Sequence, residues 1–354
     1  MRKFLLIEGD WIGENELKWG YKKRITPLYK LKGSRGRMDD KQMRADRHQK
    51  KKKKRWPSFL LVCLLLIGGV LGYAYYQYKQ GVNQSLKKLN TDKKDTNVVY
   101  DFSGQKDQYG DTNVLLLGSD ARGNEKSRSD TIMILHYNEN KGTFKLTSIM
   151  RDSYVSIPGH AKHKINSAFA RGGPELMRQT IKQNFDIDLQ YYAIVDFQGF
   201  AQLIDELFPN GVEMNVEKKM SANVNPPLQP GQQKLNGAQM LSYVRFRHDA
   251  IGDFGRVERQ QKAIKAIKDQ LSGLKTVAKL PKLVGVVTPY INTNMSTTDG
   301  VFMAKEFLTG DQNIETLRIP IDNSFTEPRI SGEGEVLEID VEKNKQALHQ
   351  FITQ

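Results

Sequence analysis

Residues 59–76, FLLVCLLLIGGVLGYAYY, run for 18 positions without a charge. At ~1.5 Å per helical residue such a run reaches roughly 27 Å, enough to cross the hydrocarbon of a bilayer. It reads as a transmembrane helix, and it divides the chain into a short leading part and a long following part. Lys50 to Arg55 stand directly ahead of it and the residues after it are far less basic. The positive-inside rule then puts the N-terminus in the cytoplasm and everything after about Gln77 outside, a single-pass cell-membrane protein. A cleaved signal peptide shares this layout, but the bulky YAYYQYK that ends the run lacks a small-residue cleavage signature.

Charge follows the same division. Residues 1–58 carry 19 Lys/Arg and 7 Asp/Glu, so +12 of the chain's +14 lies there and only +2 is left for the rest. A nucleic-acid-binding domain needs its basic footprint on the folded part, so no nucleic acid is expected as a partner, and the basic tail suits anionic lipid instead. Residues 1–37 show no periodicity, and KGSRGR ahead of Met38 is what a purine-rich ribosome-binding site would encode. The hypothesis is a native start at Met38, which N-terminal sequencing of the native protein would refute by finding earlier residues. Cys63 lies inside the apolar run, so the outer part has no disulfide. Gly68 and Gly72 form a small-xxx-small pair of a kind common by chance.

The expected organisation is a cytoplasmic basic tail over 1–58, a transmembrane helix over 59–76, a polar extracellular stalk over 77–110 and a catalytic domain over 111–354. Within the domain, apolar runs and alternation predict strands at 113–118, 130–137, 143–150, 191–197 and 212–216. Helical patterns follow Pro174 and cover 198–208 and 255–271, the last carrying an apolar stripe of Val257, Ile264, Ile267 and Leu271. Late strands at 315–321 and 336–340 precede a closing helix at 341–352. This interleaving predicts an α/β fold, a layered α-β-α domain with a central mixed sheet.

Candidate chemistry gathers at strand ends. In GSDARGNEKSRSDT, Asp120 closes the first strand and Asp130 opens the second, so adjacent strands would bring both carboxylates to one rim of the sheet. Mg²⁺ binds through one or two carboxylates and completes its shell with water and phosphate oxygens. Pairing of these acids with Arg122 and Arg128 is the alternative. In SYVRFRHD an extended backbone would set Tyr243, Arg245 and Arg247 on one face, where two arginines repel unless they meet an anion. GRVERQQ places Arg256, Arg259 and Gln260 at helical spacing, with Arg256 expected in the first turn, where a cation is unfavourable to the helix and so suggests a ligand. Arg151 ends another strand, and Lys164 in HKIN adds an ammonium. Guanidinium forks fit phosphate oxygens, and several of them around one metal suggest a pyrophosphate. No G-x-S-x-G, H-E-x-x-H or P-loop competes, and His136, His160, His163 and His248 lack metal-ligand spacing.

NVLLLGSDAR, RSDTIMIL, SIMRDSYVSIPG, KINSAFARGG, YYAIVDFQGF and LSYVRFRHD…DFGRVERQQ, in this order behind one anchor, closely resemble the LytR-CpsA-Psr family of Gram-positive bacteria. The resemblance covers roughly 110–354 and is strongest over 113–265. It implies a phosphotransferase that takes a glycopolymer, teichoic acid or capsular polysaccharide, from undecaprenyl pyrophosphate and joins it to peptidoglycan through a phosphodiester. By matching motifs it implies that Asp120 and Asp130 hold Mg²⁺, or Mn²⁺ in its place. It further implies that Arg122, Arg151, Arg245, Arg247, Arg256 and Gln260 bind the pyrophosphate, with Arg128 and Lys164 as further members, and that the polyprenyl tail enters an apolar tunnel between sheet and helices. The pattern departs at Met150, where the family usually has proline, and at Pro209-Asn210-Gly211, where it usually has a double glycine. Two other readings use the same residues or the same layout: a polyprenyl-pyrophosphate phosphatase or lipid-binding module, and a membrane-tethered transcription regulator.

Overall fold

The computed structural model describes residues 56–88, 100–119, 129–272, 279–310 and 313–354. Two compact units divide the chain, residues 1–60 and residues 61–354. The first is described only as the opening turn of helix α1 (Trp56–Lys88). Within α1, Leu60, Leu61, Leu64, Leu65, Leu66 and Ile67 are each more than half exposed. Counting described residues alone, no helix is long and apolar enough to cross a membrane.

The strands of the second unit are β1 (Thr112–Ser119), β2 (Ser129–Asn138), β3 (Thr143–Ile149), β4 (Ser153–Ser156), β5 (Lys162–Lys164), β6 (Tyr191–Asp196), β7 (Val212–Val216), β8 (Gly231–Leu235), β9 (Asn292–Thr293), β10 (Glu315–Ile319), β11 (Phe325–Thr326), β12 (Arg329–Ile330), β13 (Gly334–Glu335) and β14 (Leu337–Ile339). The helices are α2 (Asn166–Phe185), α3 (Phe197–Leu207), α4 (Gly237–Arg245), α5 (Gly252–Ser272), α6 (Leu280–Val287), α7 (Thr297–Thr309) and α8 (Val341–Thr353). Six strands form the central sheet in the order β10-β3-β2-β1-β6-β9. It is mixed: β1 runs antiparallel to β2 and parallel to β6, and β3 runs parallel to β10.

Alternation along the strands separates two cores, as a period of two requires. Leu115, Leu117, Ile132 and Ile134 face α2 and α8, through Phe169, Met177, Ile181, Phe185, Leu348 and Ile352. Val114, Met133 and Leu146 face the other way, with Met303 of α7 and Ile264 of α5. A third cluster joins α3, α4 and α5 to the separate β7–β8 hairpin through Ile204, Val212, Met240 and Tyr243. The strand expected at 212–216 therefore exists, outside the main sheet. The helix expected after Pro174 is present as the second part of α2, and a short helical part from Asn166 precedes it across a kink at Gly172 and Gly173; Gly173 has φ +63°, which an L side chain rarely adopts.

Of the stretch expected as a polar stalk over 77–110, residues 89–99 lie outside the described residues, and the described parts pack on the domain. Residues 77–88 continue α1 and pack on α6 and α3. An added Cβ at Gly81 would stand 2.2 Å from the Lys282 carbonyl oxygen, and one at Gly285 would stand 2.2 Å from that of Tyr78. Only paired glycines permit this approach. Ser85 Oγ donates to the Val286 carbonyl at 2.8 Å, Gln84 Nε2 donates to Glu206 at 2.9 Å, and Lys88 Nζ lies 2.5 Å from Glu206 Oε1. The Glu206 side chain is only 2% exposed, so α1 supplies the partners of a buried carboxylate. Further on, Tyr100 and Phe102 pack edge-on and tilted against Tyr192. The periodicity was not visible because the docked face of 77–88 is made of Gly, Gln and Ser rather than of large apolar residues.

Candidate active site

The site lies where β1 ends and β2 begins, beside α4 and α5. Pairing of β1 with β2 matches Gly118 with Thr131 and Ser119 with Ser129, so Asp130 is the extra residue of a bulge. Bulges re-aim side chains, and here Asp130 turns to the rim, where its Oδ1 accepts from Arg151 Nη1 at 2.7 Å. Arg151 is the second residue after β3. Its Nε also donates at 3.2 Å to Asp152 and at 3.2 Å to Asp253, so one guanidinium gathers three carboxylates. Burial opposes its charge, but Asp130, Asp253 and Asp152 outweigh that and raise its pKa further, fixing it as a cation.

Arg256 is 6% exposed, donates through Nη2 to Asp253 at 3.1 Å, and has a buried Nε without a hydrogen-bond partner. Burial lowers its pKa first, and the nearby charges of Arg151 and Arg247 lower it further against Asp253 and Asp130. A buried cation beside other cations is unfavourable on its own. Arg245 stacks over Phe197 at 4.3 Å from the ring centroid. Among the described residues neither Arg245 nor Arg247 has a carboxylate partner, and both are exposed to the cavity they line. Gln260 Nε2 reaches Thr131 Oγ1 at 2.9 Å, and Thr131 can stand there because Gly118 opposite it has no Cβ.

That cavity has a volume of about 460 Å³. Its mouth carries Asp130, Arg151, Arg245, Arg247, Arg256 and Gln260, and its wall is apolar: Leu116, Met133, Ala193 and Val195 from the sheet, Phe197, Phe200 and Leu203 from α3, Val244 from α4, and Ile264 and Ile267 from α5. A charged rim above an apolar pocket is shaped for an amphiphile with an anionic head.

Five expected residues thus line one cavity mouth with Asp130. Lys164 does not; it lies in a neighbouring polar groove, with Nζ 2.8 Å from Asp152 Oδ1. Asp120, Arg122 and Arg128 lie outside the described residues. Two local expectations change. Residues 243–245 are helical, not extended, so Tyr243 is buried with its hydroxyl on Glu217, and Arg247 joins Arg245 because the chain leaves α4 at Phe246. α5 begins at Gly252, which moves Arg256 into its second turn and gives the first turn to Asp253, an acid that suits the helix dipole. Sequence reasoning missed Asp253; the acid three residues before Arg256 in DFGR was the available signal. Spacing gave His136 no metal-ligand partners, but folding brings it together with Asp107 and Asp111 in a compact group at the opposite end of β1.

The LytR_cpsA_psr family model matches residues 72–349. The chain belongs to this family. It is 42% identical over 282 residues to the Staphylococcus aureus (strain COL) protein named Regulatory protein MsrR, covering 79% of this chain and 84% of that one. It is 32% identical over 292 residues to the Oceanobacillus iheyensis protein named Polyisoprenyl-teichoic acid–peptidoglycan teichoic acid transferase TagU, covering 78% of this chain and 88% of that one. Among solved structures it resembles the LytR-CPS2A-psr family protein YwtF (TagT) with bound octaprenyl pyrophosphate lipid, with a TM-score of 0.52 and 26% identity over 73% of this chain and 95% of that one. The mixed sheet between helices is the fold of this family.

Proposed function

We propose that this LytR-CpsA-Psr protein is a glycopolymer–peptidoglycan phosphotransferase, which takes a teichoic acid or capsular polysaccharide from a polyprenyl pyrophosphate carrier. The observation that carries the reading is the buried, partly unpaired guanidinium of Arg256 among Arg151, Arg245 and Arg247 at the mouth of an apolar cavity. A pyrophosphate at that mouth meets the arginines, and a prenyl chain fills the wall behind them. The octaprenyl pyrophosphate of the TagT structure and the transferase name of TagU support the same assignment.

The protein's own contribution is placement and charge. Phosphoryl transfer leaves little covalent work to side chains and depends on neutralising the oxygens of the moving group. Arg245 and Arg247, without carboxylate partners, are ready for an anion. Arg151, already surrounded by carboxylates, holds Asp130 and Asp253 in position. Gln260 is oriented by Thr131 toward the same mouth. Asp130 fits a divalent ion, because Arg151 engages its Oδ1 and leaves Oδ2 for coordination. Mg²⁺ held by Asp130, with Asp120 as second ligand, would supply further neutralisation of phosphate charge.

The uncharged run at the head of α1 is assigned as a single membrane anchor with residues 1–58 in the cytoplasm, which places the catalytic domain at the outer face beside a lipid-borne donor. The test incubates the full chain in detergent with Mg²⁺, a polyprenyl-pyrophosphate saccharide and peptidoglycan fragments. A muropeptide mass increased by one sugar phosphate is expected, lost in Arg247→Ala. Release of free sugar phosphate without muropeptide labelling would establish a phosphatase instead.

A further inference from the structure

A second open space adjoins the cavity. It is a groove of about 1060 Å³ between the N-terminus of α5, the start of β4 and the β12–β13 hairpin. Among the described residues Arg151 is the only one that lines both spaces. We propose that this groove is the acceptor site, and that it holds the hydroxyl-bearing saccharide of a peptidoglycan strand; the assignment rests on the transferase reading above.

The first reason is the direction of attack. In a phosphoryl displacement the incoming and leaving oxygens lie roughly in line with phosphorus between them. The leaving group here is the polyprenyl phosphate, whose chain belongs in the apolar cavity. An acceptor hydroxyl must therefore enter from the side of the arginine cluster away from that cavity. The groove meets the cavity at Arg151 and shares no other described lining residue with it, so it offers an approach to that guanidinium separate from the cavity.

The second reason is chemical. Six carboxylates line the groove, Asp152, Asp249, Asp253, Glu327, Glu333 and Glu335, against three cations, Arg151, Lys164 and Arg329. Four of the acids have partners. Asp152 is held by Lys164 and Arg151, Asp253 by Arg151 and Arg256, Asp249 by Arg259 at 2.9 Å, and Glu333 by His163. Among the described residues Glu327 and Glu335 have none, and both are exposed to the groove. Ionised carboxylates only accept hydrogen bonds, so they match sugar hydroxyls, amide N–H groups and the amines of a peptide stem. The same surplus of negative charge repels an anionic glycopolymer. The groove thus selects against the donor's own chain and for the uncharged or amine-bearing strand that receives it.

The wall is also fastened. Glu333 at the tip of the β12–β13 hairpin is tied to His163 on β5, and β14 pairs with β4 immediately behind. A hydrogen-bonding surface held in place loses less freedom on binding.

The test measures binding and kinetics on the full chain in detergent with Glu327→Gln, Glu335→Gln and the double variant. Equilibrium binding of a disaccharide-peptide fragment of peptidoglycan is read first, without donor. Wild type should bind and the double variant should bind about tenfold more weakly, the size expected for losing charge-assisted hydrogen bonds. In the transfer reaction the acceptor KM should rise by about the same factor while the donor KM stays within twofold. Equal fragment binding by wild type and double variant, or no binding by either, would overturn the assignment. So would a rise confined to the donor KM, which would make the groove a subsite for the donor's sugars. Absence of transfer by a wild type that binds the fragment would count against the transferase reading and leave the groove intact.

Discussion

Substituting Gly285 by alanine tests whether α1 is part of the folded domain. The new Cβ would lie 2.2 Å from the Tyr78 carbonyl oxygen, and ordinary contact begins at 3.4 Å, so α1 and α6 must separate by about 1.2 Å. That displacement stretches the 2.8 Å bond from Ser85 to Val286 beyond hydrogen-bonding distance, a loss of about 1 kcal/mol. It also draws Gln84 and Lys88 away from Glu206. Breaking a buried ion pair costs about 3–5 kcal/mol, but Lys88 is mostly exposed and can follow its partner, so a third of that is a fair share here. Alanine returns about 1 kcal/mol of helix propensity. The net loss is about 1–2 kcal/mol, a fall in melting temperature of roughly 2–8 °C for a domain of this size. Circular dichroism melts of the full chain in detergent read it, with Gly72→Ala as control, since a Cβ there meets nothing within 4 Å. A melting temperature that is unchanged or raised in Gly285→Ala would refute the docking.

Other expectations follow from the site. Arg256→Gln removes a charge that burial and two arginines disfavour, so transfer should fall by about 10²–10³ while thermal stability holds or rises; a large stability loss would count against a ligand-binding role. Arg151→Lys keeps the charge and loses the fork shared by Asp130, Asp152 and Asp253, and should reduce kcat at least about tenfold; wild-type kcat would show that charge alone suffices. Burial holds the pKa of His136 below its usual 6.5, against the pull of Asp111 and Asp107. The unfolded chain therefore takes up this proton before the folded one, and stability present above pH 6.5 should decline as pH falls through the lower folded value. His136→Gln should flatten that decline in melts between pH 7.5 and 5, and an unchanged slope would assign it to other groups.

Much of the fold was legible because its signals are local. The strands 113–118, 130–137 and 143–150 alternate or run apolar between turn residues, and each lies within one or two residues of β1, β2 and β3. The short helices α4, α6 and α7 were not read, because each is fixed by packing rather than by a long apolar stripe. Arg245 and Arg247 were found for a partly mistaken reason: the arginines do converge, but through a helix end and a turn, not along a strand. Asp253 escaped because its meaning depends on Arg151, 102 positions away, and such pairings are written in topology rather than in spacing. The groove escaped for the same reason, since Glu327, just before the β12–β13 hairpin, and Glu335, within it, share its lining with Asp152 and Lys164.

The glycine crossing of α1 and α6 has a further consequence for how such an enzyme searches. With residues 59–76 in a bilayer, the helix from Tyr76 to Lys88 rises roughly 18 Å and ends clamped to the domain, a mast rather than a tether. A flexible leash would let the catalytic mouth sample a hemisphere of depths. With the proposed anchor in place, a clamped mast would confine it to a sheet of space at one height, where it would meet carriers diffusing in the same plane. The encounter would become two-dimensional, and glycan strands lying nearer to or farther from the membrane than that height would be out of reach.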